Sequence, residues 1–392
     1  MRIKNKFSLL SEALMLTMQI VCAAQKPVWK GEIVHEDGIE VIKNPAEPLY
    51  EDIHFELEED LSIGNDEEEN YLFYGNYDMV VDKLGNIYVV DGGHDRIQVF
   101  DRDGEFIRSI GRRGQGPGEF RSPYGVFISD QSDEIYVPDM RSIIVFTLNG
   151  SYLRTIPLET FNRSCYISRG GIIIAETEKN IFEGDEKNPK RKILAALRFI
   201  DGADGSETMI ASFPDQLSKI IEGRLAKFGH GFEHVFQMCA IGNETFAYGF
   251  SSDYVLNIID SSGKPLLEIQ KESPPLPISK KEKDTVREKF RDSPIKNVNN
   301  IPFPDHKPHF RKILANGDWI FVEHYKSPQD QSKAWSMDVF NTQGFYLYKC
   351  TFPLRPKIIR DGFAYLIETS EETGDVRVKR YRIKNWGQLK KR

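Results

Sequence analysis

The chain has few cysteines and no excess of basic residues. Each of these absences argues against certain classes of protein. Its 392 residues include four cysteines, which are too scattered for a disulfide framework or a CxxC metal site. Lys and Arg number 52 against 59 Asp and Glu, so the net charge is −7. A general nucleic-acid binder carries a basic surplus, so we expect no nucleic-acid partner.

Two catalytic signatures and a membrane span are also missing from the sequence. No Gly-x-Ser-x-Gly occurs, so a hydrolase triad has no support. The Gly-rich run at 111–118 is not followed by Gly-Lys-Ser/Thr, so it is not a phosphate-binding Walker loop. After residue 25, no segment has the roughly 18 to 20 unbroken apolar residues that a membrane helix needs. The sequence therefore identifies no catalytic residue.

Residues 1–24 have the pattern of an export signal. Arg2, Lys4 and Lys6 form a basic start, residues 7–21 are mostly apolar, and Cys22-Ala23-Ala24 offers small residues for cleavage. The pattern predicts a secreted or periplasmic protein, and the alternative is a helical or disordered leader. A lipid on Cys22 would tether the protein to a membrane, although residues 19–21 fit a lipobox poorly.

A motif of short strands recurs about every 47 residues. Residues 85–91 and 96–101 hold one copy, and residues 134–139 and 143–146 hold the next. Repeats of 40 to 50 residues built from short strands predict a β-propeller. With four weaker copies, we expect an all-β, six-bladed propeller of four-stranded antiparallel blades, near residues 75–111, 124–157, 165–212, 235–270, 308–353 and 357–384.

The sixth unit supplies only three strands. Residues 53–63 look like a fourth strand without a blade of its own, so we expect this N-terminal strand to close the ring, which spans 53–384. The remaining divisions are an N-terminal extension at 25–52, insertions at 213–235 and 271–310, and a basic tail at 385–392. Helical spacing predicts a short amphipathic helix at 214–228, and Ser279 with Glu282 predicts a capped helix to about Arg291.

Residues 82–156 resemble tandem NHL repeats. Residues 111–120, with sequence GRRGQGPGEF, and then Pro123 match the loop that leads into the next blade of that family. The layout is similar to secreted six-bladed propellers of gut-type bacteria, most of which lack an assigned activity. NHL-like propellers also include peptidyl-amidoglycolate lyases, kinase sensor domains and RNA-binding tripartite-motif proteins, so the resemblance implies a fold without choosing a function.

In each blade, the connection from strand 2 to strand 3 and the connection from strand 4 to the next blade lie on the same side of the ring. We expect this side to bind the ligand. The candidates for holding an anionic group there are cations of the first two blades: Arg96, Arg112, Arg113, Arg121, Arg141 and His94. The amides of the Gly-rich run would assist them. The alternative is that the glycines only permit a tight turn between blades.

Histidines of the insertions form a second candidate site. His230, His234, His306 and His309 have spacings that suit a Zn²⁺ site, which peptidyl-amidoglycolate lyases form in a similar way. Strand-end carboxylates suggest a channel Ca²⁺ like that of propeller lactonases, and they are Asp91, Asp139, Asp253, Glu176, Glu323 and Glu368. The alternative is that these aspartates satisfy loop amides.

These patterns favour an exported ligand-binding or protein-interaction module without a required cofactor. Its partner would be a glycan, a peptide or a protein with an anionic group. The alternative function is a metal-dependent lyase or hydrolase that uses the face histidines or carboxylates.

Overall fold

The computed structural model describes residues 27–390 except 65–67, 76, 130–131, 159–163, 168–170, 176–178, 184–189, 202–205, 215–217, 222–223, 228, 243, 292–300, 328–329 and 371. Between 164 and 227, side chains are described only at 197–200 and 206–213. In this part of the chain no helix is long and apolar enough to span a bilayer.

Four strands precede the first repeat: β1 (Glu32–Glu36), β2 (Ile39–Asn44), β3 (Ile53–His54) and β4 (Leu57–Ile63). A short 3₁₀ helix, Glu69–Tyr71, leads to two antiparallel sheets of four strands each. Their strands are β5 (Tyr77–Val81), β6 (Ile87–Asp91), β7 (Arg96–Phe100), β8 (Phe106–Ile110), then β9 (Phe127–Ser129), β10 (Glu134–Asp139), β11 (Ser142–Thr147) and β12 (Tyr152–Pro157).

The middle of the chain forms a sheet of another plan and a separate hairpin. Strand β16 has 12 residues and pairs with three strands. The elements are β13 (Ser164–Ile167), β14 (Gly171–Ala175), β15 (Lys179–Glu183), β16 (Lys190–Asp201) and β17 (Glu207–Pro214), followed by the hairpin of β18 (Ser218–Ile221) and β19 (Arg224–Lys227).

Three further sheets complete the chain, and one helix, α1 (Lys280–Lys289), lies between them. Their strands are β20 (Phe236–Ile241), β21 (Thr245–Phe250), β22 (Val255–Asp260) and β23 (Pro265–Lys271); β24 (Phe310–Asn316), β25 (Trp319–His324), β26 (Trp335–Asn341) and β27 (Tyr346–Phe352); and β28 (Ile358–Arg360), β29 (Phe363–Thr369) and β30 (Val376–Ile383), with a 3₁₀ helix at Trp386–Gln388.

The protein is an all-β propeller, and five of its described sheets have the blade plan. We call them blade 1 (β5–β8), blade 2 (β9–β12), blade 3 (β20–β23), blade 4 (β24–β27) and blade 5 (β28–β30 with β4). The prediction of six blades was therefore wrong. The segment 165–212 does form strands, but the long β16 carries β15 as an additional partner and so departs from a simple four-stranded meander.

Apolar clusters between neighbouring blades explain why the central strands carry continuous apolar runs. Strand β6 is buried along its whole length, as a strand covered on both faces must be. Its Val90 packs in one cluster with Val137 of blade 2, and its Val89 packs in another with Val378 of blade 5. Blade 5, which is formed mainly by the last strands of the chain, thus packs against blade 1.

The N-terminal segment crosses the outer edges of blades 3, 4 and 5 in turn. Strand β2 pairs in parallel with β23, β3 pairs in parallel with β27, and β4 pairs antiparallel with β30. The predicted single strand 53–63 is thus divided between two blades. Cys239 and Cys350 are buried free thiols, as small apolar residues would be. That β4 closes the ring stays a prediction.

Deletion of residues 1–64 tests the role of β4 against deletion of residues 1–55, which retains it. The longer deletion removes Ile63, which is buried in the cluster between blades 5 and 1. Loss of one such side chain lowers the free energy of unfolding by about 2 to 5 kcal/mol, or the melting temperature by roughly 10 °C, and loss of the whole strand lowers both further. The protein that lacks residues 1–64 should therefore melt at a lower temperature than the one that lacks residues 1–55. Circular dichroism melts that match for the two truncated proteins would contradict a closing role.

Candidate functional site

The connections that follow the second and fourth strands of each blade lie at one end of the propeller, which we call the loop face. Its described residues are 64, 68–75, 92–95, 111–126, 140–141, 158, 251–254, 272–291, 301–309, 325–327, 330–334, 353–357, 370 and 372–375. All six predicted anion-binding residues lie in or beside the connections of blades 1 and 2. The structure therefore places them on a common face, in two adjacent blades.

Arg96 stabilises the backbone of the loop face, and little of its side chain is accessible to a ligand. Its side chain is 12% exposed, and its Nε donates to the buried carboxylate of Asp91 at 2.9 Å. Its Nη2 donates to the carbonyl oxygens of Glu69 and Leu72. His94 Nδ1 donates to the same Asp91 at 2.8 Å. Both residues thus hold the connection around Asp91.

Strand-end aspartates satisfy loop amides, as one interpretation of the sequence predicted. Asp91 accepts the amide of Tyr74 at 2.8 Å, and Asp139 accepts the amides of Arg121 and Ser122. Glu323 and Glu368 are engaged by Arg355 and Lys379. Among the described residues these carboxylates do not converge with others on one point, and Glu176 lies outside them.

The amides of the Gly-rich run already bind an anion, and that anion is the side chain of Glu119. Its carboxylate accepts the amides of Gln115 and Gly116 at 3.0 and 2.9 Å and the Nε of Arg112 at 2.9 Å. These contacts, led by the hydrogen bond from the Gly116 amide, lower the pKa of Glu119. A Cβ at Gly114 would collide with the same carboxylate. The glycines therefore permit a turn that Glu119 closes.

Two arginines of this turn extend into solvent. Arg112 is 81% exposed, with Glu119 as its ion-pair partner, and Arg113 is 89% exposed, at 3.7 Å from Asp95. Arg121 and Arg141 are exposed as well, and Arg121 donates to the side chain of Gln115. The turn thus presents several guanidinium groups on a backbone that Glu119 holds in place.

The insertions pack against each other over the loop face of blades 3 and 4. Helix α1 begins with the predicted capping box of Ser279 and Glu282. Its Val286 lies in an apolar cluster with Phe232 and Ile301. The predicted amphipathic helix at 214–228 was wrong, because β18 and β19 form an antiparallel hairpin there. Ile220, Ile221 and Leu225, which suggested helical spacing, lie on these two strands, because so short a segment does not distinguish a helix from a strand.

His230 is a structural residue of this packing. It is buried, its Nδ1 accepts the amide of Phe232 at 3.1 Å, and its Nε2 donates to the carbonyl oxygen of Pro302 at 2.9 Å. Both ring nitrogens are therefore used by the backbone. This geometry leaves neither nitrogen with a lone pair for a metal ion.

His234, His306 and His309 do lie together, as the metal hypothesis requires. The ring centroids of His234 and His306 are 4.7 Å apart, and those of His306 and His309 are 5.4 Å apart. Burial lowers the pKa of His234 and of His309. Within the part of the chain that the structure describes, however, no group of three His, Cys, Asp or Glu side chains is placed to hold a metal ion.

A buried carboxylate on β26 joins blades 3 and 4. Asp338 is fully buried and accepts hydrogen bonds from the hydroxyls of Tyr254 and Tyr346 at 2.5 and 2.6 Å. His324 Nε2 donates to it at 2.8 Å, and Lys271 Nζ lies 3.5 Å away. Asp338 thereby fixes side chains from both blades in one network.

The network keeps Asp338 ionised. Burial raises its pKa, but the hydrogen bond and charge of His324 and the charge of Lys271 outweigh burial and lower the pKa to about 2. Burial and the charge of Asp338 raise the pKa of both tyrosines, which stay protonated donors. This network was not predicted from the sequence. The available signal was a single acidic residue inside the apolar run Met337-Asp338-Val339.

Replacement of Asp338 by Asn should destabilise the protein by about 3 to 5 kcal/mol at pH 7, because it leaves buried donors without their anion. The folded pKa lies below the unfolded value, so Asp338 stabilises the wild type above pH 4 and loses this effect as pH falls. The deficit of Asp338→Asn should therefore shrink by about 1 kcal/mol between pH 7 and pH 3.

Urea unfolding followed by tryptophan fluorescence measures both quantities. Asp103→Asn is the matched control, because Asp103 is exposed in a turn on the opposite end of blade 1, and it should stay within about 0.5 kcal/mol of wild type. A deficit for Asp338→Asn that does not vary with pH would contradict the ionised state of Asp338.

The chain belongs to the DUF4934 family, a domain of unknown function, whose model matches residues 67–367. No curated protein shows a significant match. A solved member of the DUF4221 family from Bacteroides vulgatus is 16% identical with a TM-score of 0.54, covering 84% of this chain and 98% of that one.

A protein of Bacteroides fragilis that is inferred to be exported is 12% identical with a TM-score of 0.51, covering 88% of this chain and 99% of that one. A looser likeness extends to virginiamycin B lyase from Staphylococcus aureus, at 12% identity, a TM-score of 0.41 and coverage of 84% and 99%. Identities this low support the propeller fold alone.

Proposed function

We propose that this member of the DUF4934 family is an exported binding module whose loop face holds an anionic group of a glycan, a peptide or a protein. The face is built from connections between blades, where a rigid scaffold supports loops that recognise ligands. Residues 1–24 have the pattern of an export signal, and one structural neighbour is inferred to be exported. The NHL-like blades 1 and 2 would carry the first contacts.

One observation carries this proposal: Arg112 and Arg113 are largely exposed on a turn that is fixed from within. Glu119 occupies the turn amides and one N–H of Arg112, so the loop does not have to reorganise to present the two guanidinium groups. Guanidinium groups pair with carboxylate, sulfate or phosphate through two parallel hydrogen bonds. Exposed Arg121 and Arg141 extend the same positive surface.

Replacement of Arg112 and Arg113 by Ala should weaken binding to acidic glycans by about tenfold or more, because each charge-assisted hydrogen bond contributes about 1.5 to 3 kcal/mol. Arrays of acidic and neutral glycans, followed by biolayer interferometry on the best acidic ligand, measure this loss. Arg102→Ala is the control, since Arg102 is 74% exposed in a turn at the other end of blade 1.

Single-stranded RNA serves as a polyanion that should not bind, since the net charge of the chain is −7. An affinity for the acidic glycan that is the same in the double variant and in Arg102→Ala would show that these arginines are not the site.

The alternative of a metal-dependent lyase or hydrolase gains no specific support from the described residues.

A further inference from the structure

A second group of cations lies near the centre of the loop face, where blades 4, 5 and 1 meet. Lys312 lies on β24, Lys357 directly precedes β28, and Asp78 lies on β5. These three strands are the first strands of their blades, which line the central channel of a propeller. Lys357 Nζ pairs with Asp78 at 2.8 Å, and Lys312 Nζ donates to the carbonyl oxygen of Lys357 at 3.0 Å.

Arg355 joins this group in a fixed orientation. Its Nε and Nη2 donate to the two carboxylate oxygens of buried Glu323 at 2.9 and 2.8 Å. The guanidinium carbon lies 4.9 Å from the ring centroid of Trp335. The side chain is nevertheless 48% exposed, and three of its five N–H donors have no partner among the described residues. The free N–H groups of Arg355 can therefore donate hydrogen bonds to a further acceptor.

Lys312 has no carboxylate partner in the described part of the chain. Its ammonium donates only to the carbonyl oxygens of Pro356 and Lys357, at 3.4 and 3.0 Å. Burial and the charge of Lys357 lower its pKa to about 8, against the opposing effects of Glu323 and Asp78. Protonated Lys312 is thus a cation whose surroundings do not neutralise it.

In the described part of the chain, two carboxylates lie near Lys312, those of Glu323 and Asp78, and both already accept other donors. Both oxygens of Glu323 accept from Arg355, while Asp78 accepts from Lys357 and, at 3.3 Å, from the amide of Val126. Three cations therefore share two carboxylates, which leaves one positive charge in excess. Since a buried cation is costly without a counter-charge, this group favours an added anion.

We propose that Lys312, Arg355 and Lys357 form an oxyanion-binding site at the centre of the loop face. The ligand group would be a carboxylate or a sulfate, held by the free N–H groups of Arg355 and by the ammonium of Lys312. This inference deepens the proposed function and rests on it only for the anionic nature of the ligand. With Arg112 and Arg113 on the same face, the ligand carries more than one anionic group, as an acidic glycan or peptide does.

Inorganic sulfate is the probe, titrated by isothermal calorimetry into the full-length protein at constant ionic strength and pH 7. Lys312→Met should bind sulfate about tenfold more weakly than wild type, the loss of one charge-assisted hydrogen bond. Lys264→Met is the control for net charge, since Lys264 is exposed in the turn between β22 and β23 at the opposite end of the blade. Equal affinities of the two variants would overturn the proposal.

The pH profile provides a readout that a structural role for Lys312 would not change. Below pH 8 the ammonium is charged and the affinity of wild type should be constant, and above pH 8 it should fall by up to about tenfold per pH unit. Lys312→Arg keeps its charge, so its affinity should not fall between pH 8 and pH 9. A wild-type profile that is flat over this range would overturn the proposal.

The double variant Arg112→Ala with Arg113→Ala separates this site from the first one. It should lose the weaker sulfate binding at the blade 1 turn and keep both the affinity of the central site at pH 7 and its fall above pH 8, because the central cations are intact. If this variant lost the falling arm above pH 8, the sulfate would be bound by the blade 1 turn and the central site would be excluded.

Discussion

The second strand of each blade is largely buried on both faces, and the rest of the structure follows from this constraint. A sheet with two apolar faces needs a neighbouring sheet on either side. The cluster that contains Val89 and Val378 supplies this neighbour for blades 1 and 5, which are far apart in sequence. The N-terminal strands then cover edges of blades 3, 4 and 5 that would otherwise be exposed to pairing with other chains.

Buried carboxylates organise the loop face that this scaffold supports. Asp91 and Asp139 bind loop amides, Glu323 orients Arg355, and Asp338 holds two tyrosines with His324. Asp91 and Asp139 lie at strand ends and fix donors of the following connections, whereas Asp338 lies within β26 and fixes donors from blades 3 and 4. Arg112 and Arg113 pair with Glu119 and Asp95 but remain largely exposed, and Lys312 has no carboxylate partner among the described residues. These exposed or unpaired cations are the groups that the proposed anionic ligand would contact, although the chain carries an overall negative charge.

The sequence predicted those features that depend on local spacing. The strands of blades 1 and 2 follow the repeat, the capping box of α1 follows from Ser279 and Glu282, and the strand-end aspartates bind amides as one interpretation held. The predictions were wrong where apolar spacing is ambiguous, as in the β18–β19 hairpin, and where a strand is longer than those of the repeat and pairs with an additional strand, as in β16. The network of Asp338 joins strands 84 residues apart in sequence, so no local pattern reveals it.

Anomalous scattering from crystals soaked in selenate, which has the shape and charge of sulfate, tests most directly whether the loop face binds oxyanions. The structure predicts a selenium peak within about 4 Å of Lys312 Nζ and of the Arg355 guanidinium, the distance of a charge-assisted contact to a tetrahedral anion. A second, weaker peak is expected at Arg112 and Arg113. Peaks confined to the opposite end of the blades, at turns such as residues 101–104, would contradict the assignment of the loop face as the binding surface.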